Sequence, residues 1–192
     1  MDFVVVDVET ANEHPASICQ VGVATFRGGK LEDVWGTLVN PRDSFSPFNQ
    51  RIHGISPEHV CHSPTWPHLQ PQLHLLLSGR TVASHTEFDR TAMDYANRRH
   101  NLNSIQSMAW VDTCNIARAV WPNYPNHKLT SLARTLDIPY QAHDAKEDAR
   151  CAGEILLRAA KVTGLGIRAI LQADPARLCV MASRFKKRRL DI

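Results

Sequence analysis

The first ten residues constrain the fold most, because they combine an unbroken apolar run with two carboxylates. The segment DFVVVDVETA places Phe3 to Val6 and Val8 in a run that is typical of a buried strand. Asp7 and Glu9 are two residues apart, so their side chains point to the same face near the end of that strand. Like charges that meet in an apolar setting raise each other's pKa values unless a cation neutralises them. The segment therefore predicts a buried strand that ends at a divalent-metal site.

A second acidic segment, AHDAKEDA, predicts the start of a helix. Asp144 and Glu147 have the spacing of a capping box, so we expect Asp144 to be the N-cap and Ala145 the first helical residue. His143 and Asp148 then occupy the two positions that a hydrophobic staple normally joins. A histidine beside a helix start is often only structural. The acidic strand at the other end of the chain favours a catalytic role for this pair.

A third segment supplies one more acid. Thr81 to Ala83 predict a short strand, and Ser84 with Glu87 predicts a capping box at the start of the next helix. We expect the inner face of that helix to carry Phe88, Ala92, Tyr95 and Ala96. Asp89 falls in its first turn, where an acid can simply favour the positive end of the helix dipole. Together with the other acids, it completes a set of four carboxylates.

These segments resemble the motifs of the DEDDh 3′-to-5′ exonucleases, which include the proofreading epsilon subunit of bacterial DNA polymerase III, RNase T and oligoribonuclease. D-x-E-T matches residues 7–10, F-D matches residues 88–89, and H-x-A-x-x-D matches residues 143–148. The stretch RIHGISPEHV at residues 51–60 is similar to a segment of the epsilon-like branch. The resemblance covers about residues 1–162 and departs from many relatives at His85, where they have asparagine.

The resemblance implies an RNase H-like fold and a two-metal hydrolytic site. It assigns two Mg²⁺ or Mn²⁺ ions, the divalent cations that suit hard oxygen ligands. The metal ligands would be Asp7, Glu9, Asp89 and Asp148. His143 would be the general base, so we expect the rate to rise with pH through about 6.5, where imidazole groups titrate. The expected substrate-binding residues are Thr10, His53, Ile55, His85 and Phe88.

The order of the predicted elements indicates an α/β fold in a single domain. Apolar runs predict strands near residues 2–8, 18–26, 31–39, 81–83 and 108–111. Helical patterns follow at about residues 66–77, around 116–120, at 128–136 and after residue 145. This order implies a mixed β-sheet flanked by helices. We expect an exonuclease domain at residues 1–164 and a helical, basic extension at residues 165–192.

Composition excludes several other classes of protein. The 192 residues include no apolar run of membrane length, and the first apolar run already carries the acidic motif, so we expect a cytoplasmic protein without a secretory signal or membrane partner. The five scattered cysteines indicate reduced thiols. A zinc site built from His53, His59, Cys61 and His62 would fit no standard ligand spacing. The net charge of +3 does not by itself indicate a nucleic-acid partner.

Several readings of the function remain open. The leading one is a metal-dependent 3′-to-5′ exonuclease that releases nucleoside monophosphates from single-stranded or frayed ends, with DNA slightly favoured over RNA and proofreading or DNA repair as its setting. An RNA-trimming exoribonuclease is the close alternative. The chain could also be an accessory subunit of a polymerase or repair complex in which hydrolysis is secondary. An aspartate-nucleophile phosphatase would leave His143 and Asp148 without a role.

Two further segments have both a purely structural and a functional interpretation. Residues 121–126, WPNYPN, predict a rigid loop, although aromatic rings near such a site can also stack on terminal bases. The cluster from Arg184 to Arg189 is either a solvated helix end or a patch that tracks substrate phosphates.

Overall fold

A five-stranded mixed sheet forms the centre of the chain in a computed structural model that describes residues 2–174 and 178–180. The strands are β1 (Phe3–Thr10), β2 (Ile18–Arg27), β3 (Lys30–Leu38), β4 (Thr81–Ser84) and β5 (Ala109–Asp112). Their order in the sheet is β3-β2-β1-β4-β5. The first three strands form an antiparallel meander, while β4 pairs in parallel with β1 and β5 pairs in parallel with β4. The predicted strands are therefore all present, and β1 lies at the centre.

Helices cover both faces of this sheet. In chain order they are α1 (Pro47–His53), α2 (Pro57–Val60), α3 (Trp66–Leu77), α4 (Phe88–Arg99), α5 (Thr113–Val120), α6 (Leu129–Thr135), α7 (Ala145–Thr163) and α8 (Ile167–Gln172). None of the helices in the described part of the chain has the length and apolar character needed to cross a lipid bilayer.

Alternation along β1 divides the core into two layers. Phe3 and Val5 pack into a cluster with residues of α5, α6, α7 and α8. Val4 and Val6 face the opposite way and pack with residues of α3 and α4. Because side chains alternate between the faces of a strand, Asp7 and Glu9 lie on the face of Phe3 and Val5. The two acids therefore point toward the side that α7 covers.

Helix α7 approaches the sheet unusually closely at its first turn. A Cβ atom on Gly22 of β2 would lie 2.1 Å from the carbonyl oxygen of Ala145. The side-chain oxygen of Gln20 accepts a hydrogen bond from the Ala145 N–H at 3.1 Å. Gly22 is also the residue of β2 that lies opposite Asp7. The absence of a side chain at residue 22 thus lets the start of α7 lie beside the acidic end of β1.

The predicted cap of α7 is confirmed. The side chain of Asp144 accepts a hydrogen bond from the N–H of Lys146, and Ala145 is the first helical residue. Glu147 bonds to Arg150 at 2.8 Å instead. Gly164 ends the helix in the left-handed conformation, with φ 68°.

The predicted start of α4 is wrong by about one helical turn. Ser84 remains in β4, and its hydroxyl donates to the carbonyl of Thr86 rather than capping a helix. The helix begins at Phe88, and Glu87 makes no side-chain capping bond. The buried face of α4 also differs from the prediction: Ala92 and Ala96 are buried as expected, whereas Phe88 and Tyr95 are 45% and 44% exposed. The inner face instead carries Asp89, Ala92, Met93 and Ala96.

Beyond Gly164 the described residues return to the core. Ile170 and Leu171 of α8, together with Leu178, belong to the same apolar cluster as Phe3 and Val5. The basic cluster from Arg184 to Arg189 lies outside the described residues.

Candidate active site

Four carboxylates from three separate elements meet at one cavity of about 450 Å³. Asp7 and Glu9 come from the end of β1, Asp89 from the first turn of α4, and Asp148 from the first turn of α7. His143 lines the same cavity. The structure therefore brings together all five residues that the motifs single out. The other lining residues are Val8, His85, Thr86, Phe88, Lys128, Leu129, Thr130 and Tyr140.

Asp89 is held against β1 by a backbone hydrogen bond. Its Oδ1 accepts from the N–H of Val8 at 3.0 Å, and both groups are buried. The parallel pairing of β1 with β4 involves only Val4 and Val5, so the sheet ladder does not extend to Val8 on that side. The carboxylate thus satisfies a strand N–H and places its second oxygen near the acids of β1.

Asp148, Glu9 and His143 form the tightest part of the site. One ligand atom from each of the three lies within 4.8 Å of the others. Asp148 is 6% exposed, and its Oδ1 is buried without a hydrogen-bond partner. A buried carboxylate oxygen without a partner is costly unless a cation meets it. The oxygen-rich donor set and this unpaired oxygen both fit a hard divalent ion such as Mg²⁺ or Mn²⁺.

Burial and mutual repulsion raise the pKa values of all four acids. Burial has the largest effect on Glu9, where repulsion from Asp148 and Asp89 adds to it and the pKa rises to about 8. Burial raises the pKa of Asp89 to about 7, although hydrogen bonds to backbone N–H groups oppose the change. The pKa of Asp7 is raised well above its ordinary value, again chiefly by burial and then by its acidic neighbours. Such a cluster holds protons near neutral pH unless a divalent cation displaces them.

Asp148 is the least perturbed of the four acids. Burial raises its pKa to about 6, and hydrogen bonding from the Tyr140 hydroxyl and from the His143 backbone opposes that rise. Burial also raises the pKa of Tyr140, so its hydroxyl stays protonated and can donate. Tyr140 therefore helps to keep Asp148 ionised.

His143 combines an unusual backbone with an exposed side chain. Its φ of 63° lies in the left-handed region, which a residue other than glycine adopts at a cost. This conformation places the residue directly before the Asp144 cap, with its side chain in the cavity. The exposed ring faces Asp148 and Glu9 and is accessible to solvent.

Thr10, His53 and Ile55 lie beside the cavity rather than among its lining residues. The Nε2 atom of His53 lies 3.1 Å from the carbonyl oxygen of Thr10, and its Nδ1 accepts from the Ile55 N–H at 3.0 Å. Because Nδ1 accepts, Nε2 must donate and the ring is neutral. Burial, with a smaller contribution from His143, lowers the pKa of His53 in agreement. Ile55 itself is buried with Ala11 and other residues in a small apolar cluster.

His85 and Phe88 both line the cavity but differ in exposure. His85 is 9% exposed and donates from Nε2 to the carbonyl of His127 at 2.9 Å, while Nδ1 lies 2.9 Å from the Thr113 hydroxyl. Burial lowers the pKa of His85, so the ring is a neutral wall of the cavity. Phe88 is 45% exposed and presents its ring at the mouth. It is thus available for stacking on a base.

Three residues that the structure adds to the site carry no motif by which they could be recognised. Tyr140 lies in a loop before the third motif, and Lys128 precedes α6. Asn49 donates from its side chain to the carbonyl of Thr10 at 2.9 Å and ties α1 to the end of β1. None of the three residues is part of a sequence motif, and the fold brings each of them to the site from a different segment of the chain.

The side chains of His53, His59, Cys61 and His62 are not arranged to hold a metal ion. Among the described residues, the one group of such side chains that could hold an ion is Glu9, His143 and Asp148. His59 instead accepts the N–H of Ser56, and the Cys61 thiol donates to the carbonyl of Glu58.

Comparison with known proteins identifies the family. Residues 4–156 match the model of the RNase_T family, which is described as an exonuclease family. The chain belongs to the RNase_T exonuclease family. The predicted exonuclease character is therefore confirmed. The predicted α/β fold with a mixed sheet flanked by helices is confirmed by the structure.

Two curated relatives within this family are much longer proteins. The chain is 28% identical over 160 residues to the 3′-5′ exonuclease DinG of Bacillus subtilis strain 168, which covers 81% of this chain and 17% of DinG. It is 25% identical over 178 residues to the PolC-type DNA polymerase III of Caldanaerobacter subterraneus subsp. tengcongensis, which covers 90% of this chain and 13% of that protein. The chain thus spans less than a fifth of the length of either relative.

Solved exonuclease structures share the fold at low sequence identity. Exonuclease X in complex with 5′ overhanging duplex DNA aligns with a TM-score of 0.68 and 20% identity, over 88% of this chain and 97% of that one. The nuclease domain of 3′hExo, a DEDDh family member bound to rAMP, aligns with a TM-score of 0.66 and 19% identity, over 83% of this chain and 92% of that one.

Proposed function

We propose that this chain is a metal-dependent 3′-to-5′ exonuclease that releases nucleoside monophosphates from single-stranded or frayed nucleic-acid ends. The observation that carries the proposal is the convergence of Asp7, Glu9, Asp89 and Asp148 with His143 on one cavity. A buried carboxylate oxygen without a partner and the raised carboxyl pKa values support a cation site in this cavity. Membership of the RNase_T exonuclease family supports the reaction.

The acidic residues would hold the metal, and the other residues would orient and activate the reactants. Two divalent ions, bound by Asp7, Glu9, Asp89 and Asp148, would supply charge neutralisation at the scissile phosphate. His143 would take a proton from the attacking water, a role that its exposure and its position beside Glu9 and Asp148 allow. Tyr140 would hold Asp148 ionised by hydrogen bonding to it.

The terminal nucleotide would lie between the acidic cavity and the end of α1. His53 and Asn49 fix the backbone of Thr10, and this anchoring would give the terminal sugar a rigid floor. Phe88 at the cavity mouth would stack on a base. Ile55 would act through the small cluster that supports His53.

We propose DNA as the slightly favoured substrate and RNA as the close alternative. The DNA preference rests on the relation to PolC-type DNA polymerase III and on the likeness to Exonuclease X, which was solved in complex with duplex DNA. RNA is the close alternative because one structural neighbour is a 3′-exonuclease that is described by its recognition of a histone mRNA stem-loop, and the nuclease domain of 3′hExo was solved bound to rAMP. A polymerase complex with a proofreading role is the partner that the PolC-type DNA polymerase III suggests, and a repair complex is the alternative.

The test is a time course with matched 5′-labelled DNA and RNA single strands, resolved on a denaturing gel with Mg²⁺, Mn²⁺ or EDTA. We expect a ladder that shortens stepwise from the 3′ end and disappears with EDTA or in an Asp7→Asn variant. An Asp33→Asn variant is the matched control, because Asp33 is an exposed acid of β3 away from the cavity. No cleavage of either strand with either metal would contradict the proposal and would favour an accessory-subunit role.

A further inference from the structure

A second cavity, of about 540 Å³, adjoins the catalytic cavity and shares a wall with it. The shared wall consists of His85, Thr86, Lys128 and Leu129. The remaining lining residues are Cys114, Arg118, Asn126 and His127, from α5 and the loop before α6. We call this second cavity the basic groove. The basic groove adjoins the acidic cavity through the four shared residues, and no acid lines it.

The two cavities differ in charge, although Lys128 lies on their shared wall. The catalytic cavity is lined by four carboxylates, whereas the lining of the basic groove contains Lys128 and Arg118 and no carboxylate. Asp112 lies close enough to influence His85, but its Oδ1 caps α5 by accepting from the Asn115 N–H at 2.9 Å. A cavity with cations and without acids attracts phosphate, and it does so directly beside the site at which a phosphodiester would be cut.

The loop that forms the outer wall of the basic groove is held firmly in place. His127 donates from Nε2 to the carbonyl of Trp121 at 2.9 Å, and its own carbonyl accepts from His85 at 2.9 Å. The rings of Trp121 and Tyr124 stack with their centroids 5.8 Å apart. Trp121 is buried, so these aromatic side chains support the loop instead of projecting from it. The groove is therefore formed before any substrate arrives, which lowers the entropic cost of binding.

Arg118 is placed to bind an anion. Its Nη1 donates to the side-chain oxygen of Asn115 at 2.8 Å, which orients the guanidinium from one side. A guanidinium has five N–H donors, so the others can meet phosphate oxygens. Arg118 is exposed and lies on the last turn of α5, where it lines the groove together with Cys114 and His85.

We propose that the basic groove binds the phosphodiester backbone of the substrate strand on the 5′ side of the bond that is cut. This inference rests on the proposed exonuclease function. When the 3′-terminal nucleotide occupies the catalytic cavity, only the 5′ part of the strand continues beyond it. Arg118 and Lys128 then contact successive phosphates, and His85 separates the groove from the metal-binding acids.

The first test compares substrates that differ in whether they reach the groove. For a single-stranded 12-mer and a dinucleotide, kcat/KM is measured with wild type, Arg118→Ala and Arg118→Lys. We expect Arg118→Ala to lower the ratio of 12-mer to dinucleotide kcat/KM roughly fivefold, mainly through KM, and Arg118→Lys to restore most of it. The control is Arg134→Ala, because Arg134 is an exposed arginine of α6 that does not line the groove. We expect this variant to keep the wild-type ratio of 12-mer to dinucleotide kcat/KM. An unchanged ratio in Arg118→Ala overturns the proposal.

The second test measures strand binding without turnover. Fluorescence anisotropy of a labelled 12-mer is recorded in Ca²⁺ at several salt concentrations. Each phosphate contact contributes about 0.7 to the slope of log K against log salt on single strands. We expect Arg118→Ala to reduce that slope by about this amount, and Arg134→Ala to leave it as in wild type.

The two tests separate failure of the groove from failure of the proposed function. If wild type cleaves neither substrate, the exonuclease function fails and the anisotropy slopes alone decide whether the groove binds the strand. If wild type cleaves both substrates and Arg118→Ala changes neither the ratio nor the slope, the function stands and the groove proposal is overturned.

Discussion

A Gly22→Ala substitution tests whether the close approach of α7 to β2 positions His143 and Asp148, the residues that we propose as general base and metal ligand. The added Cβ would lie 2.1 Å from the carbonyl oxygen and 2.2 Å from the carbonyl carbon of Ala145, and 2.4 Å from the N–H nitrogen of Lys146. All three atoms belong to the backbone, so no side chain can rotate away. Since real Cβ contacts stay beyond 3.0 Å, the first turn of α7 must retreat by about 1 Å. That turn carries Asp148 and follows His143 directly.

The expected effects differ in size between stability and catalysis. Overpacking of this kind costs about 1–3 kcal/mol of the free energy of unfolding. A displacement of about 1 Å at the reacting groups lowers the rate about 10²-fold. We therefore expect Gly22→Ala to fold, to unfold at a lower urea concentration, and to lose about two orders of magnitude in kcat/KM on a single-stranded substrate.

The assay pairs urea unfolding with kcat/KM at a temperature where the variant is fully folded. Gly166→Ala is the matched control, because a Cβ at residue 166 meets no atom within 4 Å. We expect this control to stay within about 1 kcal/mol of wild type and to keep its activity. Wild-type kcat/KM in folded Gly22→Ala would refute the claim that this close approach sets the geometry of the site.

Three further predictions concern the acids and their neighbours. Burial raises the pKa of Glu9 to about 8 and that of Asp89 to about 7. The folded metal-free protein therefore binds more protons than the unfolded chain above about pH 4.5. We expect its free energy of unfolding to fall by a few kcal/mol between about pH 4.5 and 8. Urea unfolding in EDTA checks this, and a stability that rises over that range would contradict it. Mn²⁺ must displace these protons in order to bind. We therefore expect scanning calorimetry to show a larger Tm increase on adding Mn²⁺ at pH 8 than at pH 5.5. An equal increase at both pH values would count against metal binding at these acids. His143→Ala should lower kcat about 10²–10⁴-fold and remove the rise of rate with pH, whereas a retained pH profile would exclude His143 as the base.

A substitution at Tyr140 tests a residue that no motif contains. Tyr140→Phe removes the hydroxyl that lowers the pKa of Asp148, so more of this acid is protonated at pH 6. We expect weaker Mn²⁺ binding at pH 6 and a much smaller difference at pH 8, as measured by isothermal titration calorimetry. An equal loss at both pH values would show that the hydroxyl acts on packing rather than on the charge of Asp148.

Local signals in the sequence were sufficient for the parts of the site that depend on one segment. The apolar run with acids two residues apart identified β1 and the shared face of Asp7 and Glu9, because strand periodicity alone determines that face. The Asp144 cap likewise located the start of α7, because an N-cap depends on its neighbours in sequence.

Features that depend on distant contacts could not be read in this way. The start of α4 was predicted a turn too early, because the Ser84 hydroxyl bonds within the preceding turn and Asp89 is drawn to the N–H of Val8. The roles of Tyr140 and Gly22 appear only when α7 lies against β2 and β1. The basic groove combines α5 with the loop before α6, and neither segment carries a spacing that indicates phosphate binding.

The most direct test of the central claim is to identify the first product released from a strand labelled at its 3′-terminal internucleotide phosphate. In a single-turnover experiment with Mg²⁺, the account predicts that the label leaves as a nucleoside 5′-monophosphate in the first event. It also predicts that release stops in EDTA and in Asp148→Asn, the variant of the acid with the unpaired buried oxygen. Release of longer fragments, or of nucleotides from the 5′ end first, would contradict the account.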